Sequence, residues 1–520
     1  MLAIVKSFAL KGLDGYPVDV EVDISNGLPG LEIVGLPDTA VKESRERVRA
    51  AIRNSGLEYP MRRITVNMAP ADTKKEGAVF DLPIAIGILA ASGQLLNANF
   101  EKYVFLGELS LDGSARGVTG ILPLVMGVVE KTCFQEIIVP IDNADEAALV
   151  AGAKIMPIVS LTQVVAFIDG RTSIKAHEIN IEEIMKNGCE SNSDDMAEVN
   201  GHYRVKRALE VAAAGGHNIL MTGPPGSGKT MMARRLCQIM PQMSTQEALE
   251  VTKVYSVAGL LKKNQPLLTG RPFRSPHHNV SRPGMIGGGN SPRPGEISLA
   301  HFGILYLDEL PEFARDTLES LRQPIEDGKV CISRVHGSIE YPARMMVVAS
   351  MNPCPCGYLG DASIQCVCTP NQVSRYRNRI SGPLLDRMDI HIEVPRIHYK
   401  ELQETQQNET SAQIRIRVEN ARQLQQRRFA CTGVSSNSQM SGKEIRMYCQ
   451  IDDKAADLMK TAFESLQLSA RAYKKILKVA RTIADLDKCE KISGKHIAEA
   501  IQYRTSDRRY QNGFSIQQGS

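Results

Sequence analysis

The chain has 520 residues, 43% hydrophobic and 23% charged, with 62 basic against 58 acidic side chains and a net charge of +4. That composition belongs to a globular protein of about three domains and excludes a disordered or strongly polyionic chain. No apolar run approaches the roughly 20 residues of a membrane span, and Met1–Lys6 lacks the basic start and long apolar core of a secretory leader. Eleven cysteines, an odd number with one tight cluster, predict a cytoplasmic protein with reduced thiols and one metal site.

In chain order, residues 1–170 read as an α/β domain. Val18–Ile24 alternates apolar and acidic residues, the period of a half-buried strand, and Ile64–Met68 repeats the pattern. Asp38–Asn54 has amphipathic helical spacing; Asp81–Leu95 is a mainly apolar helix with Pro83 tolerated near its start. Residues 75–83 resemble the segment that carries the nucleophilic serine of Lon-type peptidases, in a domain of the ribosomal-protein-S5 type. Val79 stands at that position and Leu122 at that of the catalytic lysine. Neither supplies an oxygen, sulfur or base, so the resemblance implies a non-proteolytic domain.

Residues 171–196 read as a linker, since 187–195 is polar, rich in turn formers and aperiodic. The next stretch, 197–397, carries the chemistry. An apolar run Asn218–Met221 leads into Thr222 and then Gly223-Pro224-Pro225-Gly226-Ser227-Gly228-Lys229-Thr230, followed by helical spacing. This is a phosphate-binding loop: its glycines let backbone N–H groups face a polyphosphate, Lys229 reaches the β/γ-phosphates and Thr230 ligates Mg2+. ATP and Mg2+ are therefore expected ligands.

Residues 272–294 are rich in Gly, Pro, Arg and His; they read as a flexible loop, with His277 and His278 lacking a third metal ligand nearby. Gly303–Leu307 is an apolar strand ending in Asp308 and Glu309. Asp308 can hold Mg2+ and Glu309 can polarise the attacking water. Val330–Tyr341 alternates about His336-Gly337 as a hairpin, and Met345–Asn352 is a buried strand with a polar tip. Cys354, Cys356, Cys366 and Cys368 form two C-x-C pairs suited to tetrahedral Zn2+. From 398 to 506 the periodicity is helical throughout, with Ser411 the expected cap of a helix to Arg428, and 507–520 is a polar tail.

Taken together, these motifs resemble the ComM/YifB group of AAA+ ATPases, relatives of the magnesium chelatase motor subunit, over nearly the whole chain. Pro292–His301 and Ile380–Arg387 are further markers. The resemblance implies a multidomain α/β architecture: a Lon-like domain, an AAA+ P-loop core and an all-α lid. It implies a homo-hexameric helicase acting on single-stranded or branched DNA, driving branch migration of recombination intermediates while transforming DNA is integrated, with recombination proteins as partners. It implies that Asn352 is the first sensor, Arg387 an arginine finger, Arg471 the second sensor on the lid, and His202 a nucleotide-base contact. Arg334 and His336 fall on the hairpin that faces DNA. A chelatase-like or protein-remodelling motor is the alternative.

Overall fold

The computed structural model describes residues 2–95, 98–134, 136–188, 194–289, 292–334, 337–361, 363–396 and 408–511. The chain folds as two compact units. One comprises Met1–Cys189, Ser244–Thr269 and Ser333–Tyr341; the other comprises Glu190–Met243, Gly270–Ile332 and Pro342–Ser520.

The first unit is built on a seven-stranded sheet in the order β3-β4-β2-β1-β5-β8-β9. Its strands are β1 (Leu2–Lys11), β2 (Asp14–Ser25), β3 (Gly30–Val34), β4 (Arg63–Ala69), β5 (Val104–Phe105), β8 (Glu136–Pro140) and β9 (Lys154–Ile158); a small ribbon pairs β6 (Glu108–Leu109) with β7 (Ala115–Arg116). The alternation in β2 works as its sequence demands. Val18, Val20 and Val22 are fully buried while the acids between them are half-buried. Asp38 caps helix Thr39–Asn54 by accepting from the Val41 N–H at 2.8 Å. Every residue of helix Asp81–Ala91 is buried, which explains its lack of an amphipathic stripe. Val79 and Leu122 are both buried hydrocarbon.

Helix Thr245–Ala258 belongs to this unit although it follows the phosphate-loop helix in sequence. Its Ser256 carbonyl accepts from Gly120 N–H at 3.2 Å, and its hydroxyl meets the buried carboxyl of Glu146.

The second unit holds a five-stranded parallel sheet in the order β11-β14-β17-β10-β18. These are β10 (Ile219–Thr222), β11 (Phe273–Arg274), β14 (Ile304–Leu307), β17 (Met346–Met351) and β18 (Ile390–Glu393). β10, β14 and β17 are buried along their whole length, as parallel strands covered on both faces must be. The stretch expected to be a loop instead contains helix Arg282–Ile286 and a ribbon of β12 (Gly287–Gly288) with β13 (Arg293–Pro294). The expected hairpin is present as β15 (Lys329–Arg334) and β16 (Gly337–Pro342), of which Ser333–Tyr341 group with the first unit. His336 lies outside the described residues, and of Arg334 only the backbone is described.

Among the described residues, five helices close this unit: Ser411–Arg428, Gly442–Tyr448, Asp453–Ser465, Ala470–Leu486 and Gly494–Gln511. They share one hydrophobic core with the sheet, to which Ile219 and Val348 of the strands and Val418, Ile476 and Ile483 of the helices belong. The cap of the first is Thr410 and not Ser411: Thr410 and Gln413 form a capping box. The Ser411 hydroxyl accepts from Met196 N–H at 2.8 Å and ties the helix to the start of the unit. The linker region also holds a helix, Ile181–Asn187, capped by Asn180. Among the described residues no helix is long and apolar enough to cross a membrane.

Candidate nucleotide site

Three strand ends meet at the carboxyl edge of the parallel sheet, the edge at which open α/β sheets bind ligands. β10 runs alongside β17 with Thr222 opposite Met351, and β14 alongside β17 with Leu307 opposite Ala349. This register sets the loop after Thr222, the acids after Leu307 and Asn352 side by side. Gly226 and Gly228 turn the loop at φ +76° and +83°, conformations that side chains resist. Helix Lys229–Ile239 then begins, so its N-terminal N–H groups face the loop.

The lysine is folded back on its own loop. Lys229 Nζ donates to the carbonyls of Gly223 (2.8 Å) and Pro224 (2.9 Å) and to Asn352 Oδ1 (3.3 Å). Burial lowers its pKa, opposed by the charges of Asp308 and Glu309. Thr230 Oγ donates to Asp308 Oδ2 at 2.9 Å, bringing the two expected Mg2+ ligands together.

Two residues that the motifs did not single out complete this network. Tyr306 is fully buried, and its hydroxyl lies 3.1 Å from both Thr230 Oγ and Ser350 Oγ. Ser350, itself fully buried, donates to the other oxygen of Asp308. Burial pushes the Tyr306 phenol up to about 12, so it remains a donor. A buried Tyr and a buried Ser within otherwise apolar strands each need a polar partner, and that is the signal by which sequence could have found them.

Glu309 is more than half exposed and takes a left-handed φ of +52°, uncommon for a side chain other than glycine. His278 Nδ1 lies 3.7 Å from Glu309 Oε2, and its ring contacts His277 and Phe313. The histidine pair therefore stands beside the acid that follows the strand.

The described contacts of Arg387 lead away from this network. Arg387 Nη1 donates to Pro383 O at 2.5 Å and Nη2 pairs with Glu326. Arg471 lies exposed in the first turn of helix Ala470–Leu486, whose cap is Ser469. His202 opens helix Tyr203–Gly215 with φ +53°. Asp389, two residues after Arg387, joins the loop to the helical layer through Lys475 (3.0 Å) and buried His217 (3.4 Å).

The four cysteines do converge. Their sulfurs lie within 4.8 Å of one another, with Cys354–Cys356 at 3.4 Å and Cys366 at 3.6 Å from each. Four thiolates on one Zn2+ at about 2.3 Å would be separated by about 3.8 Å, so the donor set fits a tetrahedral ion. These separations are far too long for disulfide bonds, which measure about 2.05 Å.

A parallel sheet with a phosphate loop after its first strand, paired acids after the third and a polar tip after the fourth defines a P-loop nucleoside triphosphatase. Family models for the magnesium chelatase subunit ChlI match residues 195–402 and 20–143, and the model for its C-terminal region matches 408–504. The chain is 45% identical to Competence protein ComM of Haemophilus influenzae over 98% of its own length and 99% of the relative's. Identity to the uncharacterized protein YifB of Escherichia coli is also 45%, covering 98% of both chains. An uncharacterized Mycobacterium tuberculosis protein, Rv2897c, is 38% identical over 97% of this chain and 98% of its own. The chain belongs to the ComM/YifB family of magnesium-chelatase-related AAA+ ATPases.

Proposed function

We propose that the chain is an ATP-driven, ring-forming DNA motor of the helicase type that moves branched recombination intermediates during integration of incoming DNA. The observation that carries the ATPase half is the Lys229–Asn352 and Thr230–Asp308 network at the sheet edge. The DNA half is supported by full-length similarity to a relative named Competence protein ComM.

In this reading Thr230 and Asp308 would hold Mg2+, which when bound would supply charge stabilisation to the phosphates. Lys229 exchanges its loop carbonyls for phosphate oxygens. Glu309 orients the attacking water and takes its proton, with His278 fixing the carboxylate. Asn352 lies at hydrogen-bond distance from Lys229 and positions the same region. Arg387 acts on a neighbouring chain's γ-phosphate after leaving Glu326, Arg471 approaches the nucleotide from the helical layer, and His202 contacts the base. Arg334 and His336 contact DNA phosphates in a homo-hexamer. Residues 1–170 are a Lon-like domain without peptidase chemistry, since Val79 and Leu122 offer only buried hydrocarbon. The four thiols hold a structural Zn2+, because a closed four-sulfur shell leaves no position for substrate.

A motor for metal insertion into a macrocycle is the second reading, favoured by the chelatase family match at 195–402. One experiment separates them. ATP hydrolysis by the purified chain should rise with a four-way DNA junction and not with porphyrin or unfolded protein. Stimulation by porphyrin alone would transfer the assignment to the second reading.

A further inference from the structure

The four-cysteine loop begins two residues beyond Asn352, and its geometry reaches the phosphate loop directly. Cys354 is fully buried, and its carbonyl accepts from Gly357 N–H at 3.0 Å, closing a tight turn within the cluster. That turn gives Gly357 a φ of +87°. A Cβ on Gly357 would stand 2.5 Å from Pro225 Cδ, 2.8 Å from Pro225 Cγ and 3.9 Å from Asn352 Cγ. The bare backbone of the cysteine loop is therefore seated against the proline ring in the middle of the phosphate loop.

Both ends of the cysteine loop are fastened. Pro353 O accepts from Arg377 Nη2 at 3.0 Å, and Thr369 caps helix Pro370–Arg377 immediately after Cys368. On the other side of the contact, Pro225 follows Pro224, whose carbonyl holds Lys229 Nζ at 2.9 Å. A shift of Gly357 toward the ring would press on Pro225, the neighbour of a residue whose carbonyl holds the lysine.

We propose that the four-cysteine loop is a metal-dependent support for the phosphate loop, transmitted through the Gly357–Pro225 contact, so that filling the thiol cluster with Zn2+ sets the affinity for nucleotide. This rests on the reading of the cluster as a zinc site and of the loop as an ATP site. Gly357 and Pro225 are positioning residues; neither needs to touch the reacting atoms. Four thiolates gathered on one cation hold the turn at Cys354–Gly357 in a single conformation. Without the cation their mutual repulsion, or protonation, removes that restraint.

The test measures zinc per chain by elemental analysis and the dissociation constant of a fluorescent ATP analogue, on the full-length protein. Gly357→Ala should keep about one zinc per chain yet bind the analogue at least tenfold more weakly. Pro225→Gly added to it should recover part of that loss by clearing the ring, a coupling that independent sites would not show. Wild-type protein stripped with a chelator should weaken by a similar factor and recover on adding Zn2+, an arm that needs no variant to fold. Zinc-loaded Gly357→Ala with unchanged affinity would overturn the contact. Protein that carries no metal and still binds nucleotide fully would overturn the metal dependence. Zinc-loaded wild type that binds no nucleotide would instead overturn the ATP-site reading.

Discussion

His278 Nδ1 stands 3.7 Å from Glu309 Oε2, so the acid at the end of β14 meets an imidazole from the stretch after β11. Glu309 is otherwise exposed and held in a left-handed backbone conformation, and this contact gives its carboxylate a defined place. Glu309→Gln should keep nucleotide binding while turnover falls about 10²-fold or more, the scale of lost acid–base catalysis. His278→Ala should lower kcat with little change in nucleotide affinity, because it acts on the acid and not on the phosphates. Steady-state hydrolysis with a parallel binding titration checks both; near-normal turnover by Glu309→Gln would remove that residue from the mechanism.

Tyr306→Phe removes one hydroxyl that faces both Thr230 and Ser350 in a fully buried position. Both partners keep Asp308 as acceptor, so the loss is that of a hydrogen bond alone, about 0.5–1.5 kcal/mol. Chemical denaturation should show a loss of that size. The Mg2+ concentration for half-maximal hydrolysis should rise, since Thr230 and Asp308 lose their shared brace. Unchanged Mg2+ dependence would mean that Tyr306 serves packing alone.

Acid should weaken the second unit in a definite window. Burial, with Arg504 and Lys475 nearby, holds His391 down to about 3, against an ordinary value of 6.5. Burial also lowers His217, against the opposing pull of Asp389. The unfolded chain therefore binds more protons than the folded one below pH 6.5. Stability should fall as pH drops from 6.5 toward 3, by at most about 1.4 kcal/mol per pH unit for each imidazole. Asp389 is itself held below the usual carboxylate range, chiefly by Lys475 and His217 against its own burial, and adds a loss in the same direction below about pH 4. His391→Gln should move the acid-unfolding midpoint to lower pH. A stability curve that is flat between pH 6.5 and 4 would contradict the assignment.

Arg387 is engaged within its own chain by Glu326 and the Pro383 carbonyl. If it serves a neighbour's active site, Arg387→Ala should bind ATP and hydrolyse it slowly, because charge on the γ-phosphate goes unneutralised. Mixed with Glu309→Gln, it should regain activity. An Arg387→Ala chain keeps its own Glu309 and can borrow the arginine from a Glu309→Gln neighbour. No recovery in mixed rings confirmed by mass would count against action in trans.

Most of the second unit's framework was legible because its chemistry depends on local order. The glycines before Lys229, the acids after an apolar strand and the Asn at a strand tip each carry their meaning within a few residues. Long-range pairing was not legible. Ser411 and Thr410 are both good caps, and the choice between them follows from Met196, which the Ser411 hydroxyl serves from more than 200 positions away in sequence. Helix Thr245–Ala258 groups with the first unit through Gly120 and Glu146, contacts that local periodicity does not encode. His278 looked like a loop residue because its partner Glu309 lies on another strand end. The approach of Gly357 to Pro225 was not legible, because the ring it faces belongs to a loop distant in sequence.

In the proposed function, ATP hydrolysis at Lys229, Thr230, Asp308 and Glu309 drives movement along DNA. A labelled four-way junction with homologous arms, incubated with the purified chain, measures this directly. Conversion to two-armed products should require ATP and Mg2+, and Glu309→Gln should abolish it while still binding the junction. A junction left unconverted by protein that is hydrolysing ATP, at a rate indifferent to DNA, would contradict the account.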